Sequence, residues 1–180
     1  MNDRTPQAAD ATAADREAQL LQLLQTLGID HEYCAHPAVF TVDQARETVP
    51  LRSGVSAKNL FVQAKKGHRL FLLVVPYEKS VDLRALGEEL GVGKLALASP
   101  ETLLDVLGLT PGAVSVFGLM NDTQRRTTLV IDHSLWNAPR LQAHPLINTA
   151  TIAFDHEALE RFLTHTGHDP IVMNLPNRKT

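Results

Sequence analysis

Three short segments, far apart in the chain, combine residue types that could act on a bound substrate. They are residues 58–61 (KNLF), 111–119 (PGAVSVFGL) and 144–151 (HPLINTAT). The first opens a β-type run with a lysine, the second is a glycine-bounded loop around a serine, and the third is a His-Pro turn followed by an asparagine. If the three converge, they supply a cation, backbone N–H donors and a hydrogen-bonding wall. Such a set suits a substrate better than an apolar core.

Taken singly, each candidate side chain also has an ordinary structural interpretation. Lys58 stands at the predicted start of a strand, where burial would lower its pKa or direct its charge at an anion. A lysine at a strand end can equally extend along apolar surface to reach water. His144 precedes a proline, which is typical of an extended turn. Ser115 is also explained as a small residue where the backbone approaches another group closely.

The composition is that of a globular protein. The chain has 180 residues, of which 44% are hydrophobic and 21% charged, enough for one well-buried domain. No apolar run approaches the roughly 18 residues that span a bilayer. Residues 1–14 carry charges and lack the apolar centre of a secretion signal. Cys34 is the only cysteine, which excludes an internal disulfide and predicts a cytoplasmic location.

The net charge of −3 argues against a protein that coats duplex nucleic acid without sequence preference, because such binding depends on neutralising many phosphates. The basic residues are instead grouped, at 65–69 and 125–126. These groups are either solvated turns or a small phosphate contact suited to the end of an RNA. Composition alone leaves both interpretations open.

Motifs of several enzyme classes are missing from the sequence. It contains no HExxH, paired CxxC, GxSxG, Walker loop or GxGxxG. His31 and His36 flank Cys34, but a zinc site needs further ligands that the spacing does not offer. We therefore expect no metal and no cofactor.

Hydrophobic periodicity and capping residues predict five helices and up to seven strands. The helices begin near residue 15, at the capping box 41–44, and after Asp82, Ser99 and Asp155. The strands are expected at 29–34, 60–64, 70–75, 113–117, 127–131, 149–154 and 171–173. The order lacks a strict βαβ rhythm. This pattern predicts an α/β protein of the α+β type: a flexible tail at 1–14, then a single domain at 15–176 with a mixed, mostly antiparallel sheet surrounded by helices.

Together and in this order, the three segments resemble the YbaK/ProX-type aminoacyl-tRNA deacylases, free-standing relatives of the editing domain inserted in bacterial prolyl-tRNA synthetase. The matching blocks are residues 58–61, 109–119 and 144–151, with Phe154. The resemblance runs from about Leu20 to Leu175, and it is closest to the branch that removes alanine from mischarged prolyl tRNA. It implies the fold of that family, the YbaK/prolyl-tRNA synthetase-associated domain.

The resemblance also implies a role for each block. The reaction hydrolyses the ester between an amino acid and the terminal ribose of a tRNA. The catalytic residues would be Lys58, Asn59, Gly118 and His144: the lysine anchors the terminal nucleotide, the glycine provides a backbone donor, and the other two shape the pocket. Substrate binding would involve Phe61, Ser115, Phe117, Leu119 and Asn148. No side chain is an obvious general base, which leaves a ribose hydroxyl of the substrate to activate the water.

The implied partner is the acceptor end of mischarged tRNA(Pro), with a transient contact to prolyl-tRNA synthetase and with no membrane or DNA. Phosphate contacts would involve Lys65, Lys66, Arg69, Arg84, Arg125 and Arg126. A synthetase pocket for proline cannot strongly reject alanine, because missing methylenes are worth only about 1–3 kcal/mol, so a second hydrolytic site is useful. Two alternatives stay open: a deacylase for cysteinyl, seryl or threonyl esters, and a non-catalytic module that binds tRNA or a synthetase.

Overall fold

Strands of one mixed sheet run through the computed structural model, which describes residues 12–38 and 54–178. The strands are β1 (Glu32–Ala35), β2 (Val55–Ala64), β3 (Leu70–Pro76), β4 (Leu95–Leu97), β5 (Thr127–Asp132), β6 (Arg140–Ala143), β7 (Ala150–Asp155) and β8 (Ile171–Met173). Their order is β1-β7-β6-β2-β3-β5-β8, and β4 pairs with β2. The pairings β2–β6, β3–β5 and β5–β8 are parallel and the other four are antiparallel. The predicted mixed sheet is confirmed.

The helices lie around this sheet and begin at capping residues. They are α1 (Ala13–Thr26), α2 (Leu83–Glu89), α3 (Pro100–Leu107), α4 (His133–Trp136), α5 (His156–Thr166) and a 3₁₀ helix (Val116–Met120). Asp82, Ser99 and Asp155 each accept a backbone N–H in the first turn, as predicted. Within the described ranges, no helix combines the length and apolarity needed to cross a membrane.

Two apolar cores lie on opposite faces of the sheet, because successive side chains of a strand point to opposite sides. The large-core face carries Phe61, Leu72, Val74, Leu141 and Ile152, and it packs against α1, α3, α5 and the 3₁₀ helix. The small-core face carries Val62, Ala64, Phe71, Leu73 and Val75, and it packs against α2. The small core ends at β2 and does not include residues of β6, β7 or β1.

Several sequence predictions need correction. Residues 113–117 were predicted as a strand, but Ser115 caps the 3₁₀ helix that follows it. Helix α1 begins at Ala13 after the cap Thr12, inside the predicted tail of 1–14. The predicted helix at 41–48 lies outside the described residues. Strands β4 and β6 and helix α4 were not predicted, because elements of three or four residues are too short to give a periodic signal.

A buried carboxylate fixes the turn that leads from the 3₁₀ helix into β5. Asp122 is 3% exposed and accepts the backbone N–H groups of Arg126 (3.0 Å) and Thr127 (2.8 Å). His168 Nε2 lies 3.3 Å from the same carboxylate. Burial by itself would raise the pKa of Asp122, but these hydrogen bonds outweigh it and lower the pKa to about 2. The ionised form therefore stabilises the fold.

We expect Asp122→Asn to lower the free energy of unfolding by about 2 kcal/mol at neutral pH, because an amide cannot replace the carboxylate as the acceptor of all these bonds. The pKa in the folded state lies below the ordinary value of 3.8. The stabilisation is therefore complete above pH 3.8 and is lost as the pH falls toward 2. Urea unfolding across this range measures it, with exposed Asp105→Asn as the control. A difference between variant and wild type that does not change with pH would contradict this assignment.

Candidate functional site

Polar side chains occupy the part of the sheet that the small core leaves out. Strand β2 pairs in parallel with β6 at Val55↔Leu141 and Ser56↔Gln142, and the Ser56 hydroxyl donates to Gln142 Oε1 at 3.0 Å. Two residues further along each strand, on the same side of the sheet, come Lys58 and His144. The pairing of β2 with β6 thus places two residues that are 86 positions apart on the same side of the sheet.

His144 follows the last residue of β6 and is held in one orientation. Its Nδ1 lies 2.8 Å from the Ala150 carbonyl. Because a carbonyl oxygen only accepts, Nδ1 carries the proton and Nε2 keeps a lone pair. Burial, assisted by the nearby His36 ring, lowers the pKa of His144 below 6.5, although the bond to Ala150 opposes the shift. His144 is therefore neutral at pH 7, with Nε2 able to accept a hydrogen bond.

A second histidine lies beside the first. The rings of His36 and His144 are 6.1 Å apart between centroids. His36 is 8% exposed, its Nδ1 lies 2.8 Å from the Pro37 carbonyl, and its Nε2 lies 2.9 Å from the Thr151 hydroxyl. Ser56, Lys58, His144, His36, Gln142 and Thr151 are called the polar patch below.

Lys58 is the fourth residue of β2 and pairs with Val75 of β3. The sequence placed it at the start of a strand, and the structure corrects this because β2 begins three residues earlier. The side chain is half-buried, and desolvation lowers the pKa of its ammonium. A partly desolvated cation interacts with an anion more strongly than one in bulk water.

Beside Lys58, one edge of β2 lacks a strand partner among the described residues. Strand β6 pairs only with residues 55–56, and β4 pairs with residues 62–64. The Ser56 carbonyl accepts Tyr77 N–H on the β3 side, whereas the Phe61 carbonyl accepts Ala98 N–H on the opposite side. Backbone groups alternate along a strand, so the N–H and C=O of Asn59 point toward this opposite side. Residues 57–60 are called the open edge below.

The Asn59 side chain belongs to the large-core face, between Ala57 and Phe61, and therefore not to the polar patch. Its Oδ1 is buried and has no hydrogen-bond partner among the described residues. An unsatisfied buried acceptor is costly in a folded protein. At the open edge, Asn59 thus offers its backbone N–H, whereas its side-chain acceptor lies on the large-core face.

Gly118 occupies a different place from the one expected. Its N–H donates to the Ser115 carbonyl at 3.0 Å, inside the 3₁₀ helix, so it is already engaged. A Cβ at Gly118 would lie 2.7 Å from Leu109 Cδ1 and 3.4 Å from Leu107 Cβ. Close packing against α3 and the segment after it explains the glycine. The expected backbone donor at this position is not available in the structure.

The other residues of the 115–119 segment, with Phe61, lie in the large core. Phe117 is 1% exposed and makes edge-to-face contacts with Phe154 and Phe162, at centroid distances of 5.0 and 5.1 Å. Ser115 is fully buried and its hydroxyl accepts Phe117 N–H. Phe61 and Leu119 are buried in the same core. These four residues are part of the large core and are not placed to contact a substrate directly.

Asn148 lines a pocket of about 390 Å³ at the end of the sheet. Its other described lining residues are Ala13, Ala14, Arg16 and Glu17 of α1, Thr110, Pro111 and Ala113, and Leu146, Ile147 and Thr149. Leu146, which also lines the pocket, has a φ of +67°, a strained backbone conformation for a residue other than glycine. Its side chain is 1% exposed, and burial in the core offsets this strain. Lys58, Asn59 and His144 do not line this pocket.

The six basic residues divide between the two ends of the sheet. Lys65, Lys66 and Arg69 lie on the exposed β2–β3 turn, and Arg125 and Arg126 precede β5 at the same end. Lys58 is near the other end of the hairpin, roughly 20 Å away at about 3.3 Å per residue. Arg84, which pairs with Glu88, follows the end of β3 and is the member of this set at the Lys58 end.

Sequence reasoning missed His36, Thr151, Gln142 and Ser56 as members of the patch. A signal was present for His36, since His36-Pro37 and His144-Pro145 are the same dipeptide, each directly after a strand. The other three are recognisable only from the register of β2, β6 and β7. Among the described residues, no three His, Cys, Asp or Glu side chains are grouped as metal ligands would be.

Comparison with known proteins points to one family. Residues 36–162 match the profile of the family described as aminoacyl-tRNA editing domain. The chain is 34% identical over 168 residues to prolyl-tRNA synthetase associated domain-containing protein 1 of Danio rerio, covering 92% of this chain and 91% of that one. It is 30% identical to prolyl-tRNA editing protein ProX of Acetoanaerobium sticklandii, covering 86% and 94%.

A solved structure has the same fold. A protein described as a candidate trans-editing enzyme for prolyl tRNA synthetase superimposes with a TM-score of 0.65 at 22% identity, over 90% of this chain and 98% of that one. At this identity the likeness concerns the fold alone. The resemblance indicated by the three sequence blocks is confirmed, and so is the fold class.

We expect Gly118→Ala to lower the free energy of unfolding by about 1–3 kcal/mol, because the new methyl group must displace the fully buried Leu109. Urea unfolding measures the loss. Activity of the folded fraction should stay within a few-fold of wild type. A variant of normal stability that has lost its activity would instead return Gly118 to the catalytic set.

Proposed function

Because this chain belongs to the aminoacyl-tRNA editing domain family, we propose that it is a trans-editing deacylase that hydrolyses mischarged tRNA, with Ala-tRNA(Pro) as its substrate. The observation that supports the proposal is the register of β2 with β6, from which Lys58 and His144 lie on the same side of the sheet beside the open edge of β2. At this place the arrangement offers a cation, a neutral imidazole and the backbone N–H of Asn59. Ester hydrolysis needs groups of these kinds.

Each group has a distinct task in the proposed reaction. A water attacks the ester carbonyl, the carbonyl oxygen becomes an oxyanion, and the bond to the ribose oxygen then breaks. The Asn59 N–H and the Lys58 ammonium stabilise the oxyanion or the neighbouring phosphate, taking the place expected for the Gly118 N–H. His144 Nε2 accepts a hydrogen bond from the attacking water, and the proton passes to the leaving ribose oxygen.

The proposed partner is the acceptor end of tRNA(Pro), reached transiently in the presence of prolyl-tRNA synthetase. Names of two relatives include prolyl-tRNA synthetase or prolyl-tRNA editing, which supports this choice. Arg84 is the basic residue best placed to contact phosphate beside Lys58. Alanine is favoured over proline because a site that fits a methyl side chain excludes a ring by overlap. A cytoplasmic location, where tRNA is charged, belongs to the same proposal.

We expect Lys58→Ala and the longer, neutral Lys58→Met each to lower kcat/KM on Ala-tRNA(Pro) at least about 100-fold, since they remove a charge that stabilises the transition state. Unfolding free energy should change little, because the lost group is only half-buried. The matched control is exposed Lys94→Ala. Release of labelled alanine from the tRNA measures the rate.

A panel of charged tRNAs tests the specificity with the same assay. Hydrolysis of Ala-tRNA(Pro), with Pro-tRNA(Pro) left intact, is the expected result. Preference for cysteinyl, seryl or threonyl esters would support a deacylase but with a different substrate from the one proposed. Binding of tRNA without hydrolysis of any ester would overturn the enzymatic proposal. Full activity of Lys58→Ala would remove the proposed site.

The pH profile should report the neutral form of His144. Its pKa lies below 6.5, so kcat/KM should fall on the acid side with a midpoint below pH 6.5, as the ring becomes protonated and Nε2 loses its lone pair. His144→Gln, which cannot titrate, should lose this acid limb. An acid limb with its midpoint above 6.5 would exclude this role for His144.

A further inference from the structure

His36 connects to three consecutive residues at the beginning of β7. Its backbone N–H donates to the Thr149 carbonyl at 2.9 Å. The preceding residue, Ala35, pairs with Ala150. Its ring Nε2 lies 2.9 Å from the Thr151 hydroxyl. His36 thus holds Thr149 through its backbone and Thr151 through its side chain, on either side of Ala150.

The middle residue of those three orients His144. The Ala150 carbonyl is the acceptor that fixes the proton of His144 on Nδ1. Anything that holds the start of β7 in place therefore also holds the direction of the His144 lone pair. The connection runs from the His36 ring to Thr151, along one peptide to Ala150, and across to His144.

The tautomer of His36 is equally defined. Its Nδ1 carries a proton, because Nδ1 lies 2.8 Å from the carbonyl of Pro37. In the neutral ring Nε2 is then an acceptor, and the Thr151 hydroxyl donates a hydrogen bond to it at 2.9 Å. The ring is 8% exposed and both of its nitrogen atoms have partners, so it is poorly placed to contact a substrate itself.

From this geometry we propose that His36 is a positioning residue for the reaction at His144, acting through its hydrogen bond with Thr151. This inference rests on the proposed function, since it assumes that His144 takes part in the reaction. It goes further in assigning a task to the His-Pro dipeptide at 36–37, which lies about 100 residues before the segment containing His144. The two histidines that precede a proline thus have different tasks: His144 faces the substrate, and His36 orients His144.

The test breaks the His36–Thr151 bond from each side. His36→Phe keeps a ring but removes the acceptor, and Thr151→Val keeps the shape but removes the donor. Each should lower kcat roughly 10-fold with little change in KM, because a misdirected group costs rate more than binding. The double variant should be no slower than the slower single variant, since both changes remove one bond.

A conservative variant and a matched control separate positioning from general damage. His36→Gln retains an acceptor at the distance of Nε2 and should recover most of the lost kcat. Cys34 lies on β1, two residues before His36, and pairs with Thr151 of β7. Cys34→Ala should leave kcat unchanged, because it keeps the hydrogen bond between His36 and Thr151. Thr151→Val, in which a β-branched residue replaces another, keeps the test available if His36→Phe does not fold.

The second readout is the tautomer of His144, measured by ¹⁵N NMR of the imidazole without substrate. The Nδ1–H form should dominate in the wild type and in Cys34→Ala, and the Nε2–H form should appear in His36→Phe and Thr151→Val. Unchanged kcat, additive losses in the double variant, or an unchanged tautomer would each overturn the role of His36. If the wild type hydrolyses no charged tRNA, the proposed function fails, while the NMR result still decides whether His36 orients His144.

Discussion

The candidate site depends on the way β2 changes partners along its length. At its start β2 pairs in parallel with β6, and at its end it pairs antiparallel with β4. Strands β6 and β4 share one edge of β2 without meeting, so the backbone between them has no strand partner in the part of the chain that the structure describes. A longer strand along this edge would pair with the backbone N–H and C=O of Asn59, and a substrate could then no longer reach these groups. The active-site proposal is thus a consequence of strand lengths.

The polar patch is stable because most of its buried polar atoms are paired. Ser56 pairs with Gln142, His36 with Thr151, and His144 with the Ala150 carbonyl. Buried polar groups cost free energy when they lack partners, so a patch of this kind survives only as a connected network. Within residues 12–38 and 54–178, the patch groups left without a hydrogen-bond partner are His144 Nε2 and the Lys58 ammonium. Function is expected where pairing is incomplete.

Much of the fold was predictable because its signals are local. The caps Asp82, Ser99 and Asp155, the leucine stripes and the hairpin of β2 and β3 each depend on neighbours within a few residues. The segment 113–117 was mispredicted because its apolar residues suit a strand and a buried 3₁₀ helix equally. Strand β6 was missed because four residues are too few for a period, although this strand is the one that positions His144.

The sequence by itself determined the residue types of the proposed site, Lys58, Asn59 and His144, and the family to which the chain belongs. Only the tertiary structure decided how these residues lie relative to one another. Alternation along β2 places the Asn59 side chain on the face opposite Lys58, register with β6 puts His144 on the same side as Lys58, and packing against Leu109 makes Gly118 a core residue. The physical reason is that residue type is a local property. The side of the sheet that a residue faces, and the residue it pairs with, depend instead on which distant strand forms the next hydrogen bonds.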